Sequence, residues 1–336
     1  MKNTDNTKPL KSNELYNKIA RLLEEARRKV TSAVNIAMVY TYFEIGRIIV
    51  EDEQNGNSRA EYGKEVLKNL SEKLTREFGK GFSVTNLKQM RDFYQSYSIR
   101  QTLSDQFHLS WSHYLFLMRI DNNSERDFYE KEATNSNWSL RELKRQFDSS
   151  LYERLALSKD KDEVKRLSTQ GVIIEKPADI VKDPYVLEFL GLPEQASYSE
   201  SELEQKLINK LESFLLELGK GYTFVGRQVR LTFDEKHFYV DLVFYNRILQ
   251  CFVLIDLKIG ELSHQDLGQM QMYVNYYDRF VKLEHENKTI GIVLCKKKND
   301  ALVEITLPEE NKQIFASKYQ TVLPDKQSLT KLILDK

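Results

Sequence analysis

The chain is poor in cysteine, proline, glycine and histidine, and it has no excess charge of either sign. Its two cysteines, Cys251 and Cys295, lie in apolar, strand-like runs. They read as small core residues of a reduced, cytoplasmic protein rather than as a disulfide pair or metal ligands. Six prolines and 13 glycines in 336 residues exclude collagen-like and low-complexity structure. Fifty Lys and Arg balance 50 Asp and Glu, which excludes both a highly basic histone-like chain and an acidic-tail protein. No uninterrupted apolar run approaches the ~18–20 residues of a membrane span, so no membrane partner is expected. The polar N-terminus has no apolar segment after its charges and does not read as a secretory signal. Residues 1–12 are expected to be disordered.

What is present is ample core material, 41% apolar residues, in a length typical of about two or three domains. From Glu14 to Glu53 the apolar residues recur at three- and four-residue steps, as in a helix. Asn55-Gly-Asn57 signals a turn, and helical spacing resumes at Tyr62, Val66, Leu70 and Leu74. Gly79-Lys-Gly81 ends that helix, and Ser83 is placed to cap the next, with Val84, Leu87, Met90, Phe93 and Tyr97 as its stripe. Further helices are expected over Trp111–Ile120, Arg126–Ala133 and Ser139–Leu155. Residues 13–157 therefore read as one all-helical domain, and 158–198, charged and holding Pro177, Pro184 and Pro193, as a linker. A helix capped by Ser199 or Ser201 then runs to Leu218. Strands are expected over Tyr222–Phe233, Phe238–Tyr245 and Leu249–Lys258, a helix over Gln265–Phe280, and strands over Thr289–Cys295 and Ala301–Thr306. Residues 199–325 thus form an α/β domain with a mixed sheet, giving an α + α/β chain overall.

Two of those strands carry acids among apolar neighbours: Asp241 in Phe238–Tyr245, and Asp256 in Cys251–Lys258. A carboxylate buried among Val, Phe, Leu and Ile is costly unless it is paired or bound to metal. Alternation along a strand puts Asp256 and Lys258 on one face. If the two strands are neighbours across the Asn246-Arg247 turn, Asp241 lies beside Asp256. Two carboxylates at that range repel, which calls for a divalent cation, and oxygen ligands suit Mg²⁺ or Mn²⁺. The plainer alternative is a salt bridge from Lys258 to either acid. Gln269 and Tyr273 share one face of the following helix. Glu204, at the margin of the apolar stripe of the preceding helix, could reach the metal or a water on it. Each of these three is otherwise an ordinary helix-face residue.

Asp241…Asp256-Leu-Lys258 resembles the PD-(D/E)XK nuclease signature, and Gln269-Met-Gln-Met-Tyr273 resembles the Gln-x-x-x-Tyr motif of its exonuclease-like branches. More closely, the chain resembles the bacterial YhcG-type family, in which such a nuclease domain follows a helical N-terminal domain. The matching stretches are Phe214-Leu-Leu-Glu-Leu-Gly219, Phe224-Val-Gly-Arg-Gln228, Val240-Asp-Leu-Val-Phe-Tyr245 and Asp256-Leu-Lys-Ile-Gly260. In the N-terminal half they are Arg59-Ala-Glu-Tyr-Gly63, Phe78-Gly-Lys-Gly-Phe82, Trp111-Ser-His-Tyr114 and Trp138-Ser-Leu-Arg-Glu-Leu143. Two departures are visible. Asp256 stands where this family usually has Glu, and Val240, not proline, precedes Asp241. The resemblance implies a restriction-endonuclease-like C-terminal fold and metal-assisted phosphodiester hydrolysis. Asp241, Asp256 and the Leu257 carbonyl would hold Mg²⁺, Lys258 would orient the attacking water, and Gln269 and Tyr273 would position substrate.

The two helices around Gly79-Lys-Gly81 have helix–turn–helix spacing. In such motifs the second helix meets base edges and phosphates. Thr85, Asn86, Lys88, Gln89 and Arg91 lie largely off its apolar stripe, and a second basic helix offers Arg141, Lys144 and Arg145. Residues 1–170 hold 29 basic against 25 acidic side chains and the remainder 21 against 25, which leans nucleic-acid contact toward the N-terminal half. A helix pair used for packing or self-association fits the same spacing. The sequence therefore points to a Mg²⁺- or Mn²⁺-dependent nuclease acting on DNA, with homo-oligomerisation left open. The alternatives are an RNase with the same metal chemistry and an inactive nuclease-fold factor that binds DNA or protein.

Overall fold

A computed structural model describes residues 8–54, 60–98, 107–157, 159–193 and 198–334. The expected turn at Asn55-Gly-Asn57 and the N-terminal residues 1–7 lie outside them. The chain divides into two compact units, Met1–Arg126 and Asp127–Lys336.

The first unit is helical. α1 (Lys8–Gln54) is one continuous helix, which takes in residues 8–12 as well. α2 (Ala60–Phe78), α3 (Val84–Tyr97) and α4 (Trp111–Leu117) follow. Gly79 and Gly81 separate α2 from α3 at φ +85° and +124°, backbone states that glycine enters without a Cβ clash. The Ser83 hydroxyl caps α3 by accepting from Asn86 N at 3.2 Å. The buried face of α3 is Leu87, Met90, Phe93 and Tyr97, and Phe93 meets Phe43 of α1 edge-on at 5.7 Å. The helices cross so closely at Gly46 that a Cβ there would collide with the Met90 carbonyl.

α1 corrects one sequence argument. Over Glu14–Gln54 it contains an 18-residue window of mean hydropathy 1.3, long and apolar enough to cross a membrane by length and composition. The lack of an uninterrupted apolar run therefore does not exclude a span here. Val39, Phe43, Ile49 and Val50 are buried in the helical core, but only 28% of that window is buried.

The second unit begins with α5 (Asn123–Asn135, which straddles the division), α6 (Leu140–Asp148), α7 (Leu151–Leu157) and α8 (Lys161–Gln170). The helix expected over Ser139–Leu155 is thus two, parted at Ser149 and Ser150, the latter at φ +52°. Ser139 caps α6 in a capping box with Glu142. After α8 come β1 (Tyr185–Val186), α9 (Glu200–Asn209), α10 (Leu211–Leu218), β2 (Tyr222–Phe233), β3 (Lys236–Asn246), β4 (Cys251–Glu261) and α11 (His264–Phe280). β5 (Ile290–Lys297), α12 (Asp300–Thr306), β6 (Ile314–Gln320) and α13 (Lys326–Leu334) complete it. The six strands form one sheet in the order β1-β6-β5-β4-β3-β2. β2, β3 and β4 pair antiparallel, and β4, β5, β6 and β1 pair parallel.

One face of the sheet packs with Leu203, Leu207, Phe214 and Leu218 of α9 and α10. The other is covered by Leu267, Met270, Tyr273, Val274 and Tyr277 of α11. Three expectations change. Part of the 158–198 segment is core, because Tyr185, Val186 and Leu187 are fully buried and β1 extends the sheet. Ala301–Thr306 is helix, not strand, since the Asn299 side chain accepts from Leu302 N and starts α12. Finally, the compact division falls at Arg126/Asp127 rather than within 158–198. The reason is a buried ionic cluster: Arg145 of α6 and Arg154 of α7 reach Glu217 of α10 at 2.8 and 2.7 Å. This ties α6 and α7 to the sheet-bearing unit.

Candidate active site

The site grows from the register of β3 on β4. Leu242 pairs with Ile255, and one further step of that antiparallel register sets Asp241 opposite Asp256. Asp241 is pinned there because its Oδ2 accepts from Leu257 N at 2.8 Å. Asp256 is only 3% exposed, and it feels the charge of Asp241. Burial, reinforced by the charge of Asp241 and opposed by Lys258, pushes the Asp256 carboxyl up to about 7. Its Oδ2 is 2.9 Å from Lys258 Nζ. That approach does not satisfy hydrogen-bond geometry, so this buried oxygen has no hydrogen-bond partner among the described residues.

Lys258 has two further acids near it, Glu200 at 3.7 Å and Asp266 at 4.0 Å. Burial works against its charge, yet Asp256, Glu200 and Asp241 outweigh it and hold the ammonium above the usual lysine range. Neither Glu200 nor Asp266 stands out in sequence. Each is an acid in the first turn of a helix, the ordinary placement for capping and dipole reasons.

Glu204 reaches this site indirectly. The Gln228 amide donates to Glu204 Oε2 and, at 2.9 Å, to Asp241 Oδ1. Burial and the charge of Asp241 raise the Glu204 carboxyl, while the Gln228 hydrogen bond lowers it. Gln228 sits at φ +46° between the Arg227–Leu242 and Val229–Val240 pairs. A non-glycine residue held in the left-handed region costs on the order of 1–3 kcal/mol and signals an over-determined local structure. Sequence reading passed over Gln228 as a site residue. Only its membership of Phe224-Val-Gly-Arg-Gln228 pointed to it.

On α11, Gln269 donates to the Tyr273 hydroxyl, and that hydroxyl donates to the Tyr239 carbonyl at 2.8 Å. Tyr273 is wholly buried. It ties α11 to β3, its ring belongs to the core, and its hydroxyl feels the charges of Asp256, Asp241 and Lys258. Gln269 is half-buried beside it.

Of the residues expected to meet nucleic acid, Thr85, Lys88, Arg141 and Lys144 are exposed and Gln89 is half-buried. Three others have structural work. Asn86 donates to the Gly81 carbonyl and accepts from Trp111 Nε1 at 3.1 Å. Arg91 pairs with Glu53 and Asp92 at 3.3 and 3.2 Å. Arg145 is locked between Glu217 and Glu188 and also donates to the Val186 carbonyl. Sequence periodicity put them off the apolar stripe but could not show these partners.

The donor set fits a hard divalent cation. It consists of the Asp241 and Asp256 carboxylates, to which the family resemblance adds the main-chain oxygen of Leu257; among the described residues one buried Asp256 oxygen has no hydrogen-bond partner. Among the described residues no three His, Cys, Asp or Glu side chains gather closely enough to form a cage. Glu204 is linked to Asp241 through the Gln228 amide, which donates to both.

The chain is similar to known proteins along most of its length. Residues 178–333 match the YhcG PDDEXK nuclease domain family, and residues 18–154 match the DUF1016 N-terminal domain family. YhcG of Escherichia coli (strain K12) is 39% identical over 94% of this chain and 92% of its own length. Among solved structures, a repair endonuclease from Pyrococcus abyssi aligns at 14% identity and TM-score 0.25, over 40% of this chain and 50% of its own. A complex of EndoMS with dsDNA aligns at 17% identity and TM-score 0.26, over 39% and 48%. With 39% identity over 94% of the chain and a family match in each half, the chain belongs to the YhcG family of PDDEXK nucleases, carrying a DUF1016 N-terminal domain ahead of its nuclease domain.

Proposed function

We propose that the chain hydrolyses phosphodiester bonds in DNA with the help of Mg²⁺ or Mn²⁺. The observation that carries this reading is the Asp241–Asp256 pair, with Asp256 buried and driven up to about 7 while Lys258 stands 2.9 Å away. Asp241, Asp256 and the Leu257 carbonyl would hold the cation. When bound, it would acidify a water and offset charge on the scissile phosphate. Lys258 keeps its proton beside these acids. It is placed to orient the attacking water and to stabilise the negative charge that grows on the phosphate oxygens. Asp256 must release its proton for the site to become competent. The Tyr273–Tyr239 bond fixes α11 against β3 and so sets where Gln269 stands.

The exposed Thr85, Lys88, Arg141 and Lys144 supply phosphate contacts in this reading. A reducing, cytoplasmic setting suits Cys251 and Cys295, buried free thiols pushed by burial up to about 12 and about 11.

The test is plasmid nicking with Mg²⁺. Wild type should relax supercoiled DNA, and Lys258→Ala and a chelator should each abolish it. Retained nicking by Lys258→Ala would remove the proposed chemistry. If wild type itself fails on DNA, the same assay on RNA separates an RNase from an inactive nuclease-fold factor.

A further inference from the structure

α1 has two apolar faces, and its own unit uses only one of them. The used face contains Val39, Phe43 and Val50, all buried. A second stripe runs along the helix in alternating steps of three and four residues. One set of positions is Tyr16, Leu23, Val30 and Ala37, and the other is Ile19, Ala26, Ala33 and Tyr40. None of the eight is charged or an amide. At 3.6 residues per turn they form a band roughly 120° wide, centred roughly 140° away from the buried face. Tyr16, Leu23 and Val30 are 68%, 54% and 64% exposed, and Leu15 and Leu22 beside them 60% and 66%.

A strict seven-residue repeat sustained over more than three heptads fits another helix with the same repeat, because side chains at those spacings interlock as knobs and holes. We infer that this stripe is an interface between two copies of the chain, paired through α1 as a coiled coil. An identical helix offers an identical seam, so a two-fold pairing closes on itself. The seam is about 36 Å long. Covering it on two helices removes on the order of 1,600 Å² of surface, the size of a standard specific interface. A lipid occupant fits poorly. Lys18, Arg21, Glu24, Glu25, Arg27 and Lys29 fill the rest of the helix surface in this half of α1 and would be costly inside a bilayer.

The full chain should sediment as a dimer over a wide concentration range. Leu23→Glu combined with Val30→Glu should give monomers, while Arg21→Glu, on the far side of the helix, should leave the dimer intact. These positions are exposed, so the melting transition of the core should persist in all three. If the double variant does not fold, the milder Val30→Ala should still weaken the dimer by about tenfold or more in dissociation constant. A wild type that is monomeric throughout, a dimer that survives the double variant, or an unweakened Val30→Ala dimer would each overturn the interface. Flotation of a monomeric wild type with anionic vesicles would assign the seam to lipid instead.

Discussion

Asp256 sits in an electrostatic conflict that the cation-free chain cannot resolve. Burial and the charge of Asp241 hold its folded carboxyl at about 7, above the unfolded value of about 3.9. The folded state therefore holds the proton more tightly, and its contribution to stability is complete below about pH 4 and lost as pH rises through about 7. Metal-free protein should lose melting temperature between pH 5 and pH 8, and Asp256→Asn should flatten that loss. Added Mg²⁺ should help most at the alkaline end, where both carboxylates are ionised. Melting curves with and without chelator check this, and a flat wild-type profile would remove the buried-acid argument. Gln228 invites a sharper substitution. Gln228→Gly relieves the left-handed backbone but removes the amide that links Glu204 to Asp241. Stability should hold or rise while Mg²⁺ affinity falls about 10–100-fold, the usual effect of losing a group that orients a ligand. Unchanged affinity by calorimetry would make Gln228 a turn residue and nothing more. The convergence of Asp241, Asp256 and Lys258 was legible because strand alternation and one short turn dictate it. The role of Gln228 was not, because a φ of +46° has no sequence signature in an otherwise strand-like run.

Helix caps and apolar periods made most elements readable. Ser83, Ser139 and Ser199 each cap the helix expected of them. The errors share a cause, which is that tertiary partners decide short segments. Ala301–Thr306 has strand composition but is too short for its apolar residues to settle its state. β6 lies in an unremarkable run, and pairing with β5 makes it a strand. The Ser149-Ser150 break follows from the two arginines on either side, Arg145 and Arg154, both turning to Glu217. Burial raises that carboxyl, but Arg154, Lys182 and Arg145 outweigh it and hold it at about 2. Removing one member of such a cluster leaves the other charges buried and unpaired. Glu217→Gln should therefore destabilise the protein by about 3–5 kcal/mol, measured by urea unfolding. A loss within the range of a surface change would mean that water already reaches the arginines. On α11, Tyr273→Phe removes the hydroxyl that anchors the helix to the Tyr239 carbonyl. It should lower both stability and nicking, whereas Gln269→Ala should lower nicking with little change in melting.

The two compact units also change how the chain can be divided. Sequence composition placed the boundary in the proline-bearing stretch 158–198, because charge and proline are the signals a linker leaves. Those signals do not reveal that Arg145 and Arg154 are committed to Glu217. A fragment of residues 165–336 keeps all of Asp241, Asp256 and Lys258 but leaves Glu217 buried without either arginine. It also loses α5, α6 and α7. A fragment of residues 122–336 keeps the whole cluster and begins just before α5. The longer piece should melt cooperatively and retain metal-dependent nicking. The shorter should lack a cooperative transition, although every proposed catalytic side chain is present in it. Circular dichroism melts of the two, read beside the plasmid assay, decide the matter. Equal stability would show that the helices before residue 165 lean on the nuclease domain without supporting it. The unequal outcome would mean that α6 and α7, although they fall within the stretch matching the N-terminal family, complete the fold that holds the active-site strands.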